Sequence, residues 1–343
     1  MRQNPNLQEI HPEISVILPF FNAEKTLTPA IKSILNQSFN NFELLLVDNN
    51  STDKSFSIAE NLAEKDLRIR LLEEEKQGVA NAMNCGLQNA KGKYIARMDA
   101  DDFSMPDRFE KQIQFLNNNP EIGFVGTKVK YVPHNENTAG FERFVEWSNS
   151  FHSPKQIDLN RFVEIPVINP TIFFRREIFE KLGGCFDGDF PEDYEMQLRY
   201  LDAGVKMAKL NEPLLEWHDY STRLTRTDNR YSTEAFFKTK AKYFKSWSEK
   251  NNKFHPNIWV WGAGRKTRQR AKLLETEGII IDGFIDIVKG KISQKTITYY
   301  KDIPQSGKIF IVSLVTNYGA RKQIKEFLLS RNYIEGVDFI LMG

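Results

Sequence analysis

Three carboxylates in four residues, Asp99-Ala100-Asp101-Asp102, are the densest chemistry in this 343-residue sequence. So close together, they repel unless a cation or hydrogen-bond donors compensate. A hard divalent ion bound through oxygen, Mg²⁺ or Mn²⁺, resolves that repulsion and can bridge a diphosphate. An acidic surface turn that merely ends a strand is the competing reading, since Asp is a common turn residue. A second group is Asp48-Asn49, followed by Ser51-Thr52-Asp53. Asp48 and Asn49 can bond a base edge or a ribose, whereas Ser51, Thr52 and Asp53 suit a helix N-cap. A third group, Pro191-Glu192-Asp193, opens a helical stretch. The helix dipole favours acidic residues there in any case. One of them, if positioned, can also take the proton from a hydroxyl that must act as a nucleophile.

Regular elements have to hold these residues. Ile14 to Leu18 is a β-branched run ended by Pro19, and Lys25 to Asn36 carries a helical stripe of Leu27, Ile31, Ile34 and Leu35. Phe42 to Val47 is apolar except for Glu43, as in a parallel strand buried on both faces. A helix over Lys54 to Lys65, a strand at Ile69 to Leu72, a helix at Val79 to Asn89 and a strand at Lys93 to Met98 follow. That alternation predicts an α/β fold with a doubly wound, mostly parallel sheet. Ligands bind such sheets at the carboxyl ends of strands, where Asp48 and Asp99 both fall. Further on, Arg108 to Asn118, Glu192 to Ala203 and Glu234 to Trp247 read as helices. Gly123 to Tyr131 and Pro170 to Phe174 read as strands, and the stretch from Tyr131 to Ile168 has no readable motif.

The segments Ile14 to Asn22, Ser33 to Ser38, Glu43 to Asp53, Gly78 to Gly86, Ala90 to Ile95 and Asp99 to Asp102 occur in a specific order. Met105-Pro106-Asp107-Arg108 and Pro191-Glu192-Asp193 with Leu198-Arg199 continue it. Over residues 12 to 230 this order resembles the family 2 glycosyltransferases of the GT-A fold. The resemblance implies an inverting, metal-dependent enzyme using Mn²⁺ or Mg²⁺. Such an enzyme moves a sugar from a nucleoside-diphosphate sugar, a UDP-sugar foremost, to a hydroxyl of a glycan or lipid-linked glycan during cell-surface polysaccharide synthesis. It implies that Pro19, Phe21 and Asn22 cradle the nucleoside, that Asp48 and Asn49 sit by base and ribose, and that Asn84 lies near the diphosphate. Asp99 is then a ribose and diphosphate contact. Asp101 is the principal metal ligand with Asp102 beside it, and His218 is a further metal ligand. Asp193 is the implied catalytic base, Glu192 positions the acceptor, and Arg223 and Arg226 are candidate phosphate contacts. A base and an ion on opposite faces of the sugar imply single displacement. Two positions depart from the family: Asn49 stands where a second carboxylate is frequent, and Met83 where a basic residue often precedes Asn84.

Lys250 to Asn257 reads as a linker, which predicts a GT-A domain over 1–250 and a small Rossmann-like α/β domain over 254–343. There Ile258 to Trp261, Gly262-Ala263-Gly264 and a helix from Lys266 to Thr276 lead to a strand that ends at Asp286. A helix N-terminus after a glycine turn favours phosphate. The third glycine of the dinucleotide fingerprint is absent, so a structural or docking role is favoured over an NAD site. The net charge of +2, with both signs interspersed, gives no reason to invoke nucleic acid. No apolar run approaches the ~20 residues that span a bilayer, and Met1 to Pro12 is polar. A cytoplasmic protein is expected, with peripheral attachment to the inner membrane face left open. Cys85 and Cys185 have no paired spacing, which predicts two buried thiols and neither zinc nor a disulfide. A non-catalytic nucleotide-sugar-binding or scaffold protein is the alternative function.

Overall fold

The computed structural model describes residues 11–343 except 135, 137, 293 and 318, so the polar stretch at 1–10 lies outside the described residues. Strands β1 (Ile14–Phe20), β2 (Phe42–Asp48), β3 (Ile69–Glu73) and β4 (Tyr94–Arg97) alternate with helices α1 (Leu27–Leu35), α2 (Ser55–Ala63) and α3 (Val79–Asn89). Next come β5 (Phe103–Ser104), α4 (Arg108–Asn118), β6 (Phe124–Pro133), α5 (Ala139–Asn149) and α6 (Pro154–Asn160). They are followed by β7 (Phe173–Arg175), α7 (Arg176–Leu182), α8 (Glu192–Asp202) and β8 (Met207–Asp219). The eight strands form one sheet in the order β3-β2-β1-β4-β7-β6-β8-β5. β3, β2, β1 and β4 are parallel, β7 is antiparallel to both neighbours, β6 and β8 are parallel, and β5 closes the edge antiparallel. The predicted doubly wound sheet is present, and a mixed half extends it.

Every residue of β1 and β2 is buried, as their apolar runs require. Val16, Leu18, Leu44, Leu46, Tyr94, Ala96 and Phe109 lie in one core. Pro19 does not end β1, as the sequence suggested. Pairing with β4 stops at Ile17, so the missing proline N–H removes no bond on that side. Ala90-Lys91-Gly92 fastens α3 to β1: the Lys91 and Gly92 N–H groups both donate to Ser15 Oγ, at 3.0 and 2.8 Å. A Cβ on Gly92 would stand 2.5 Å from the Ser15 nitrogen, so only glycine permits that approach.

Strand β8, which carries Trp217 and His218, has no strand signal in the sequence. Asn211, Glu212 and Pro213 are exposed within it, and its ladder with β6 shifts register near Lys128, which interrupts the two-residue period. The strand expected at Pro170 to Phe174 is a 3-10 turn over Asn169–Thr171 followed by β7, because pairing with β4 begins only at Phe173. Cys185 is buried as expected; Cys85, on α3, is partly exposed.

After α9 (Leu224–Thr227) and α10 (Thr233–Asn251) comes the second sheet. Helix α10 runs over the start of the predicted linker. The sheet contains β9 (Asn257–Trp261), β10 (Ile280–Asp286), β11 (Gly290–Ile292), β12 (Lys295–Tyr299), β13 (Ile311–Ser313) and β14 (Phe339–Leu341), with helices α11 (Arg265–Thr276) and α12 (Ala320–Ser330). Its order is β11-β12-β10-β9-β13-β14, parallel except for the edge strand β11. The first strand thus lies inside, with crossovers to either side, which is the Rossmann-like winding. The chain forms two compact units. One holds the chain up to Ser153 with Val167–Asp187 and Val205–Arg223; the other holds Pro154–Pro166, Gly188–Gly204 and Leu224–Gly343. In the second unit α8 packs on α10.

Candidate active site

β4 stops at Arg97, and the chain turns through Met98 into the aspartates. Carboxylate oxygens of Asp99, Asp101 and Asp102 approach within 4.8 Å of one another. Asp102 is only 3% exposed. Its Oδ1 accepts the backbone N–H of His218 at 2.8 Å, and its Oδ2 is buried with no partner. Burial pushes the Asp102 carboxyl well above the usual carboxylate range. Arg223 opposes that, and the neighbouring Asp101 and Asp99 charges add to it. Asp101 is raised too, first by burial.

Two guanidiniums meet this charge. Arg97 Nε donates to Asp99 Oδ1 at 2.8 Å. Arg223 Nη1 lies 3.6 Å from Asp101 Oδ2 and 3.4 Å from Asp102 Oδ1, and its Nη2 lies 3.8 Å from Asp99 Oδ2. Arg223 Nη1 also donates to the His218 carbonyl at 2.7 Å, and the guanidinium stands 4.5 Å over the Trp217 ring. Burial alone would lower the Arg223 pKa, but Asp101, Asp102 and Asp99 together reverse this and raise it. A third arginine, Arg108, is fully buried and donates to the Pro170 and Arg97 carbonyls. Burial lowers it to about 9.

An all-oxygen group containing a buried, unpartnered carboxylate oxygen has the donor set of a hard divalent ion, so these residues fit one. His218 is placed beside this group by β8, but its ring takes other partners. Nδ1 lies 2.8 Å from His134 Nε2, whereas Nε2, 3.5 Å from Glu216 Oε2, is buried without a hydrogen-bond partner. Burial is the main cause lowering its pKa.

At the end of β2, Asp48 Oδ2 accepts the Ser51 N–H at 3.2 Å, and Oδ1 is buried without a partner. Asn49 is used up internally. Its Oδ1 accepts from the Gly78 N–H at 2.7 Å, and its Nδ2 donates to the Glu74 and Lys76 carbonyls at 2.8 and 3.0 Å. That explains the departure at this position, because a carboxylate there would face two carbonyl oxygens. Pro19 is buried in β1, whereas Phe21 is half exposed just past its end. Asn22 takes the left-handed conformation, φ 49°, and its Oδ1 accepts the Thr52 N–H at 2.8 Å, so the turns after β1 and β2 are tied together. Asn84 sits on α3 with both ends of its amide on the Cys185 backbone, at 2.9 and 2.7 Å.

Asp193 occupies the first turn of α8, partly buried, and its Oδ1 accepts its neighbour's N–H, that of Tyr194, at 2.7 Å. Glu192 is buried and accepts the Tyr231 hydroxyl at 2.7 Å. The third acid of that turn, Glu195, is structural: it pairs with Arg199 at 3.1 Å and accepts from Tyr243. Arg97, Arg108 and His134 went unnoticed as site neighbours. Arg97 does carry a signal, an arginine inside an otherwise apolar strand directly before three aspartates. His134 has none, because its nearness to His218 comes from the β6–β8 pairing.

Residues 15–183 match the family described as Glycosyl transferase family 2. An uncharacterized glycosyltransferase of Haemophilus influenzae is 48% identical over 106 residues, 31% of this chain, and that match spans 42% of the relative's length. The O-antigen biosynthesis glycosyltransferase WbnJ of Escherichia coli is 31% identical over 219 residues, covering 61% of this chain and 82% of WbnJ. Among solved structures, S. aureus TarS 1-349 in complex with UDP-GlcNAc superposes with a TM-score of 0.56 at 17% identity, over 76% of this chain and 70% of TarS 1-349.

Proposed function

Because the chain belongs to glycosyl transferase family 2 and carries the GT-A fold, we propose that it transfers a sugar, with inversion, from a UDP-sugar to a hydroxyl of a surface glycan or its lipid-linked precursor. The observation that carries this reading is the Asp99–Asp101–Asp102 oxygen group at the carboxyl end of β4, with one buried oxygen left over for a ligand. Asp101 is the principal holder of Mn²⁺ or Mg²⁺, with Asp99 and Asp102 beside it and His218 as a further ligand. Such an ion neutralises charge on a leaving diphosphate. Asp48, through its spare Oδ1, accepts a hydrogen bond from the ribose or base, and Phe21 offers its exposed ring to the nucleoside. Pro19, Asn22, Asn49 and Asn84 act on the donor by shaping the loops that receive it.

Asp193 is assigned as general base. A sugar hydroxyl is a weak nucleophile until its proton is being removed, and a positioned carboxylate takes that proton as the new C–O bond forms. Glu192, fixed by Tyr231, positions the acceptor. The choice of UDP rests on the UDP-GlcNAc in TarS, and the choice of a surface glycan on WbnJ. Among the described residues no helix is long and apolar enough to cross a membrane, and a place at the inner membrane face is part of this proposal. The test is Asp193→Ala. Sugar transfer should disappear while calorimetric binding of UDP with Mn²⁺ persists; transfer at the wild-type rate would overturn the assignment.

A further inference from the structure

A cluster of three carboxylates needs counter-charge whether or not a metal ion is bound. In this chain Arg223 supplies it from the segment directly after β8. Its guanidinium stands at 3.4, 3.6 and 3.8 Å from one oxygen each of Asp102, Asp101 and Asp99. It is held by the group as a whole, as a coordinated cation would be. It also donates a short bond to the His218 carbonyl, at 2.7 Å. Arg223 is therefore in the place where those oxygens would converge on an ion, and two cations cannot share it: at a few ångströms their repulsion is worth several kcal/mol even at an effective dielectric of 20.

Resting on the metal-dependent reading above, we propose that Arg223 is the resident counter-cation of the aspartate cluster and must leave before a divalent ion enters, so that ion and nucleotide diphosphate bind together and neither binds well alone. The diphosphate balances the charge account. Three carboxylates set against Arg97 and Arg223 are nearly neutral. A divalent ion in place of Arg223 neutralises the cluster but leaves the guanidinium without counter-charge, which the diphosphate's negative charge supplies. Ser221 and Thr222 are exposed, and the turn is closed by one backbone bond, Arg223 N–H to the Tyr220 carbonyl at 3.2 Å. A guanidinium freed beside a diphosphate regains partners of the sign it lost.

The experiment is a Mn²⁺ titration followed by electron paramagnetic resonance, with and without UDP, on wild type, Arg223→Met and Arg223→Lys. Wild type should bind Mn²⁺ weakly alone and at least about tenfold more tightly with UDP. Arg223→Met, which keeps the stem and loses the charge, should bind Mn²⁺ alone at least about tenfold more tightly than wild type, while Arg223→Lys stays close to wild type. Equal Mn²⁺ affinity of wild type and Arg223→Met without UDP, with wild type still binding Mn²⁺ plus UDP, overturns this proposal and leaves the metal reading intact. Absence of Mn²⁺ binding by every form, with or without UDP, overturns both. Should Arg223→Met fail to fold, wild type supplies a separate readout. Because the guanidinium covers Trp217, adding Mg²⁺ with UDP should change tryptophan emission, and Trp217→Phe should lose that change. Binding of Mg²⁺ and UDP detected by calorimetry with unchanged Trp217 emission would count against displacement.

Discussion

The two sheets of this chain both feed a strand into a tight turn and then a helix, yet they treat the polar groups there in opposite ways. In the C-terminal sheet the glycine turn after β9 is closed on itself: the Ala263 N–H donates to Asp286 Oδ2 at 2.6 Å, and Asp286 Oδ1 accepts the Ile287 N–H at 2.7 Å. Arg270, on α11, donates to the Leu314 carbonyl and Thr316 Oγ1 at 2.9 and 3.1 Å. In the first sheet the ends of β2 and β4 leave Asp48 Oδ1 and Asp102 Oδ2 buried and unpartnered. Among the described residues beyond 223, no buried side-chain polar atom lacks a partner. A buried acceptor without a donor costs free energy, about 1–3 kcal/mol, and a fold retains it where a ligand completes it. A glycine turn by itself is weak grounds for a nucleotide site; unspent polarity is better.

That contrast can be broken in four places. The largest effect is on activity: Asp101→Ala should cut sugar transfer about a thousandfold, whereas Asp286→Ala should leave it near wild type, measured as steady-state rates on UDP-sugar. Next is a pair of glycines. Gly92→Ala drives a methyl into the Ser15 and Ile14 backbone and should lose about 3 kcal/mol of stability by denaturant titration. Gly264→Ala meets nothing within 4 Å and should cost under about 1 kcal/mol. Third, Asn49→Asp sets a carboxylate against the Glu74 and Lys76 carbonyls; a loss of about 2 kcal/mol is expected, without tighter UDP binding. The fourth is a change in the slope of stability against pH, and it concerns buried lysines, one in each unit. Burial lowers Lys209 to about 7 and Lys240 to about 8. Both values lie below the unfolded-state pKa, so between them and about 10.4 the unfolded chain holds the extra proton and stability rises with pH. Lys209→Met should remove up to about 1.4 kcal/mol per pH unit of that slope over pH 7–10, and Lys240→Met should act over a window one unit narrower. An unchanged slope in Lys209→Met would show that Lys209 titrates normally.

Much of this is legible in the sequence, for a physical reason. β1, β2 and β4 are buried on both faces, so their largely apolar runs stand out, and the aspartates at their ends are conspicuous against them. β8 was hidden because its middle is solvent-exposed and its register slips. Arg223 was singled out as a phosphate contact, but its place among the aspartates depends on β8 pairing with β6, a long-range event with no local period. The linker was misjudged where α10 continues to Asn251, since Lys250 and Asn251 are polar on an exposed turn. Asn49 looked like a weakened ligand; its partners in the 74–78 loop reveal a brace.

The central claim is that the oxygen group after β4 holds a divalent ion with a nucleotide diphosphate, and calorimetric titration of UDP tests it most directly. With Mn²⁺ present, wild type should bind UDP, and either chelator or Asp101→Asn should weaken binding at least about tenfold. UDP binding of equal strength in Mn²⁺, in chelator and in Asp101→Asn would contradict it.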